Sequence, residues 1–106
     1  MDGNRGERIQ EAVREVAAEF LAKEAGPQSL ITVTRVMLTS DARNATIFLS
    51  VLPDSAEDVA LAFAQRNRRA LGEFFRTKVR GAFPPHFEFI LDRGEKNRRR
   101  LDELTS

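Results

Sequence analysis

The order of hydrophobic patterns along the chain limits its fold more than any other feature of the sequence. Helix-like spacing of apolar residues alternates with short runs rich in β-branched residues. The helical pattern occupies 8–24 and about 54–82, and the strand-like pattern occupies 30–38, 44–52 and 86–92. This order predicts an α+β domain in which helices pack on one face of a small mixed sheet.

Residues that end helices or turn the chain separate these segments. Gly26–Pro27 ends the first helix, and Pro84–Pro85 ends the second. The stretch Thr39–Arg43 suits a tight connection between the two strands and therefore predicts an antiparallel hairpin. Gly72 interrupts the second helical pattern, either as a tolerated residue or as a kink that divides the pattern into two helices.

Length and composition indicate a single small domain. With 106 residues we expect one domain over 1–106, with 1–6 and 105–106 flexible. The absence of cysteine excludes disulfides, thiolate metal sites and cysteine nucleophiles. No apolar run approaches the roughly 20 residues that span a bilayer, and the first residues do not resemble a signal peptide. We therefore expect a cytoplasmic protein without a membrane partner. Nothing in the sequence calls for a dimer, so we expect a monomer.

The net charge of +1 conceals an uneven distribution of charge. Residues 1–65 carry a net charge of −4, whereas residues 66–106 carry +5. A nearly neutral chain with a basic half can present a basic face to a partner, although a solvated surface with random clustering would have the same composition.

The sequence contains little that could support catalysis or metal binding. Its one histidine, His86, stands alone at the start of a predicted strand, and no metalloprotease, nucleotide-binding or serine-hydrolase motif is present. The acids Asp54, Glu57 and Asp58 cluster where the second helix begins, and the helix dipole explains acids at that position. We therefore expect no enzyme, no metal and no cofactor.

Arginines of the second helical pattern form the strongest functional signal. Arg69, Arg76 and Arg80 share one helical face with Gly72, whereas Lys78 falls toward the apolar side. Guanidinium groups bind phosphates, and a glycine lets a phosphate approach the backbone. The pattern predicts a phosphate-binding face, with a solvated helix face as the plainer alternative. Stacking on phenylalanine is not indicated, because the phenylalanines fall mainly at predicted core positions.

Several of these segments resemble a known family. Residues 31–52 are similar to that family's strand, acidic turn and second strand, with Asp41 in the turn. Ala70–Gly72 resembles the Ala-x-Gly kink that replaces the GxxG loop of ordinary KH domains, and Pro85–Asp92 resembles the family's last strand. In order and spacing, the stretch from about Arg8 to Leu104 resembles the ribosome-binding factor A family of type II KH-like domains.

The resemblance implies a topology of α-β-β-α-kink-α-β and a non-enzymatic factor of ribosome biogenesis. Such factors bind the free or immature small ribosomal subunit, assist late maturation of its rRNA near the 5′ end and the decoding region, and matter most in the cold. Release by a ribosome-dependent GTPase is also implied. Together with the arginine pattern, the resemblance identifies the following candidate RNA-binding residues: Arg68, Arg69, Ala70, Gly72, Arg76, Lys78, Arg80, Arg98, Arg99 and Arg100.

Two other functions remain open from the sequence. The domain could be a KH-like module that binds another RNA, which the RNA that co-purifies with it would identify. It could also be a basic protein-interaction domain, whose salt-sensitive binding would survive nuclease treatment.

Overall fold

The structure, a computed structural model, describes residues 2–25 and 29–94. Within these residues the elements follow one another in the order α1-β1-β2-α2-α3-β3, with a single 3-10 turn before α2. Their bounds are α1 Asp2–Glu24, β1 Leu30–Leu38, β2 Asn44–Leu52, α2 Glu57–Arg66, α3 Arg68–Lys78 and β3 His86–Leu91. This topology confirms the predicted α+β fold.

The strands form one sheet in the order β1-β2-β3. β1 and β2 are antiparallel, which confirms the predicted hairpin, and β3 lies parallel to β2. Asp41 holds the hairpin turn, because its Oδ1 accepts hydrogen bonds from Thr39 Oγ1 at 2.7 Å and from the Arg43 backbone N–H at 3.1 Å. The hydrogen bond from Thr39, followed by that from Arg43, lowers the pKa of Asp41.

The helices cover one face of the sheet, and the hydrophobic core lies between the two layers. The buried residues on the helix side and the sheet side include Val13, Ala17, Leu21, Ile47, Leu49, Leu71, Phe75, Phe87 and Phe89. Phe75 of α3 packs edge-on against Phe87 of β3, with ring centroids 6.3 Å apart. Helix α3 is thereby fixed against the sheet by one face, and its other face is directed toward solvent.

The second helical segment is divided into two helices, as the implied topology requires, but the break lies at Asn67 and not at Gly72. Asn67 has φ −101° and ψ 14°, and its Nδ2 donates a hydrogen bond to the Phe63 carbonyl at 2.8 Å. Such a local bond from an asparagine side chain competes with continuation of a helix. Gly72 lies inside α3, which ends at Lys78 and not at the predicted residue 82.

Candidate nucleic-acid interface

A groove with a volume of about 600 Å³ lies where α2, α3 and the segment leading into β3 meet. Four arginines line it, namely Arg66, Arg68, Arg69 and Arg76. The remaining lining residues are Gln65, Gly72, Glu73, Pro84, Pro85, His86 and Phe87. We call this feature the arginine groove.

Two of the arginines reach the groove because α3 buries its opposite face. Leu71 and Phe75 are four residues apart on α3, and their side chains are 1% and 0% exposed. Residues spaced by three and four positions share one face of a helix, so a set of such residues on the opposite side of α3 points away from the core. Arg69, Gly72 and Arg76 occupy that face, as the spacing predicts.

The break at Asn67 brings the other two arginines to the same place. Arg66 ends α2 and Arg68 begins α3. The Nε of Arg68 donates a hydrogen bond to the Gln65 carbonyl at 3.1 Å, which holds this side chain across the break. A guanidinium has five N–H donors, so most of those of Arg68 remain for a ligand.

Gly72 opens the groove by lacking a side chain. A Cβ placed on Gly72 would lie 3.8 Å from the Cβ of Pro84, which is ordinary van der Waals contact. The position is therefore neither strained nor closed to alanine, whereas a larger side chain would extend into the groove. Gly72 thus leaves room for a ligand, and it does not bend the helix.

The groove is strongly basic. Glu73 is the only carboxylate among the described lining residues. In the part of the chain that the structure describes, no carboxylate lies within ion-pair distance of Arg66, Arg68, Arg69 or Arg76. Such guanidinium groups can form charge-assisted, paired hydrogen bonds with a phosphate.

The structure does not bring every predicted residue to the groove. Lys78 lies on the side of α1, where its Nζ is 3.3 Å from Glu19 Oε1 and 5.3 Å from the centroid of the Phe74 ring. Hydrogen bonds from Lys23 and then Lys78 lower the pKa of Glu19. Ala70 and Arg80 are exposed on or just after α3 but do not line the groove. The remaining candidates, Arg98, Arg99 and Arg100, lie outside the described residues.

Some residues of this region have no clear signal in the sequence. Gln65 Nε2 donates to the Phe89 carbonyl at 3.2 Å and ties the end of α2 to β3, while its Oε1 is buried without a hydrogen-bond partner among the described residues. His86 lines the groove from the start of β3. Phe83, which helical periodicity does not distinguish from core phenylalanines, is 87% exposed.

Metal ligation finds no support in the described residues, since no three His, Cys, Asp or Glu side chains group closely enough to hold an ion. None of the described helices is long and apolar enough to cross a membrane.

Comparison with known proteins identifies a consistent set of relatives. A model of the family described as ribosome-binding factor A matches residues 5–105. The ribosome-binding factor A of Gemmatimonas aurantiaca is 33% identical over 108 residues, which cover 94% of this chain and 71% of the relative.

Solved structures show the same fold. The crystal structure of ribosome-binding factor A from Thermus thermophilus has a TM-score of 0.72 and 23% identity, covering 81% of this chain and 93% of that one. A homology model of the Thermus thermophilus factor, fitted into a cryo-electron-microscopy map of its complex with 30S, has a TM-score of 0.71 and 24% identity over the same shares.

Proposed function

Because the chain belongs to the ribosome-binding factor A family, we propose that it binds the small ribosomal subunit and holds rRNA phosphates in the arginine groove. The observation that carries this proposal is the convergence of four arginines on one groove beside Gly72, where none of them lies within ion-pair distance of a carboxylate among the described residues. The Thermus thermophilus relative forms a complex with 30S, and small-subunit rRNA is therefore the RNA that we assign to the groove.

The groove would act by positioning the protein on the rRNA. Arginine contacts to phosphates fix register and orientation but carry little sequence information. Specificity then comes from the shape of the folded rRNA and from neighbouring ribosomal proteins. No bond is made or broken in this binding, in agreement with membership of a family of binding factors and not of enzymes.

The biological setting follows from the resemblance. We propose that binding assists late maturation of the rRNA near its 5′ end and decoding region, that it takes place in the cytoplasm, and that a ribosome-dependent GTPase triggers release. The subunit bound in this scheme is free or immature, and the protein leaves it before translation.

Co-sedimentation with purified small subunits tests the proposal. The double charge reversal Arg69→Glu with Arg76→Glu should weaken binding by at least roughly tenfold per arginine, because each charged hydrogen bond contributes about 1.5–3 kcal/mol. Arg8→Glu with Arg14→Glu is the matched control, since both residues are exposed on α1, outside the groove, and the net charge changes equally.

The outcomes separate the possible functions. Loss of binding in the groove variant alone, with circular dichroism showing a folded domain, supports the proposal. Equal binding by wild type and both variants contradicts it. Retention of another RNA, or binding that survives nuclease treatment, would instead favour the other RNA-binding or protein-interaction functions.

A further inference from the structure

Phe83 is the most exposed large apolar side chain among the described residues. It lies in the segment between α3 and β3, and 87% of it is accessible to solvent. Single exposed apolar residues are common on protein surfaces and by themselves mean little. The surroundings of Phe83 distinguish it from the others.

The backbone on both sides of Phe83 is restrained. Gly81 has φ +81°, a left-handed conformation that glycine adopts without strain. Ala82 packs against the core, and Pro84 follows directly, which confines Phe83 to extended conformations. The ring is therefore presented to solvent from a segment that has little backbone freedom to lose on binding.

Positive charge flanks the ring on two sides. One depression, of about 270 Å³, is lined by Phe83 and Arg76, with Gly81 and Ala82. A second, of about 500 Å³, is lined by Phe83 with Arg5 and Arg43, and it also contains the carboxylate of Asp41. Arg76 also lines the arginine groove, so the ring and the groove share a residue.

We propose that Phe83 stacks on an unpaired base of the RNA whose phosphates occupy the arginine groove. The inference rests on the proposed function and adds to it that the RNA is locally single-stranded. An aromatic ring offers a stacking surface to any base, and adjacent guanidinium groups neutralise the phosphates that flank that base. Because a base in a duplex is already stacked, the site selects a loop, a bulge or an unfolded end.

A tryptophan substitution makes this contact visible. The chain contains no Trp and no Tyr, so Phe83→Trp introduces a single indole at the proposed contact. Titration with a short single-stranded RNA should quench its fluorescence, and the same sequence annealed into a duplex should not. Equal quenching by both forms, or none by the single strand, would overturn the inference.

Affinity measurements with the otherwise unchanged chain provide the second test. Phe83→Ala should weaken single-strand binding by roughly 5- to 150-fold, the range expected for loss of one stacked base. Phe83→Leu, which keeps an apolar side chain without the aromatic face, should behave like the alanine variant. Val59→Ala is the control, because Val59 is 72% exposed and lies outside both the groove and the two depressions.

The result also separates this inference from the proposed function. If Arg76→Ala weakens RNA binding and Phe83→Ala does not, the groove binds RNA and the stacking inference is wrong. If neither substitution changes RNA binding, the proposed function itself fails.

Discussion

The salt dependence of RNA binding should report how many arginines of the groove contact phosphates. Each phosphate neutralised by a cation releases bound counterions, so log K falls by roughly 0.7 to 0.9 per contact for each log unit of salt. Four arginines line the groove. If each contacts one phosphate, the groove contributes a slope of roughly −3.

The difference between variants is the better quantity, because cations elsewhere on the surface add to the total slope. Removing two guanidinium groups with Arg69→Ala and Arg76→Ala should reduce the magnitude of the slope by roughly 1.5. The assay is fluorescence anisotropy of a labelled single-stranded RNA, repeated over a series of salt concentrations. Arg8→Ala with Arg14→Ala is the matched control and should leave the slope unchanged.

Two results would refute this reasoning. The slope of the groove variant could stay the same while its affinity falls, which would mean that these arginines act on stability or shape and not on phosphates. Alternatively, the control pair could reduce the slope equally, which would mean that binding depends on overall charge and not on the groove.

Three other substitutions test the structure beneath the groove. Gly72→Ala should raise the free energy of unfolding in urea by roughly 0.5–1 kcal/mol, because its Cβ meets Pro84 at ordinary contact distance and alanine favours the helix; a loss of stability would contradict this. Phe75→Ala should lower the same quantity by about 3–5 kcal/mol, since the ring is fully buried; a loss under about 1 kcal/mol would show that the core is packed differently. Thr39→Val removes the main hydrogen-bond donor to Asp41, so an NMR titration should show that the pKa of Asp41 rises. Asp41 stabilises the fold above its usual pKa and loses this contribution on acidification, so in the variant the loss should begin at a higher pH. An unchanged pKa would refute the role of the Thr39 hydroxyl.

The strands could be predicted from the sequence because their signals are local. β1 and β2 have the predicted bounds, 30–38 and 44–52. Their β-branched runs end at a turn that Asp41 stabilises through its own neighbours, so no distant residue is needed to define them. The start of α1 at Asp2 was not predicted, because the residues before 8 are polar and add nothing to an apolar period.

The helix break and the groove depend on contacts that a linear pattern does not contain. Gly72 has a lower intrinsic helix propensity than Asn67. The break nevertheless lies at Asn67, where a side-chain hydrogen bond to the Phe63 carbonyl competes with the helix. Arg69 and Arg76 could be placed by helical spacing. Arg66 lines the groove only because the helix breaks next to it, and His86 lines it only because β3 begins beside that groove. Neither placement can be inferred from the linear pattern.

The central claim is that arginines of the groove contact rRNA phosphates on the small subunit. The most direct measurement is the rate at which phenylglyoxal modifies each arginine in the free protein and in its complex with purified small subunits, read by mass spectrometry. The account predicts that Arg69 and Arg76 react much more slowly in the complex, while exposed Arg14 on α1 reacts at the same rate in both. Equal rates for Arg69 and Arg76 in the free and bound protein would contradict it.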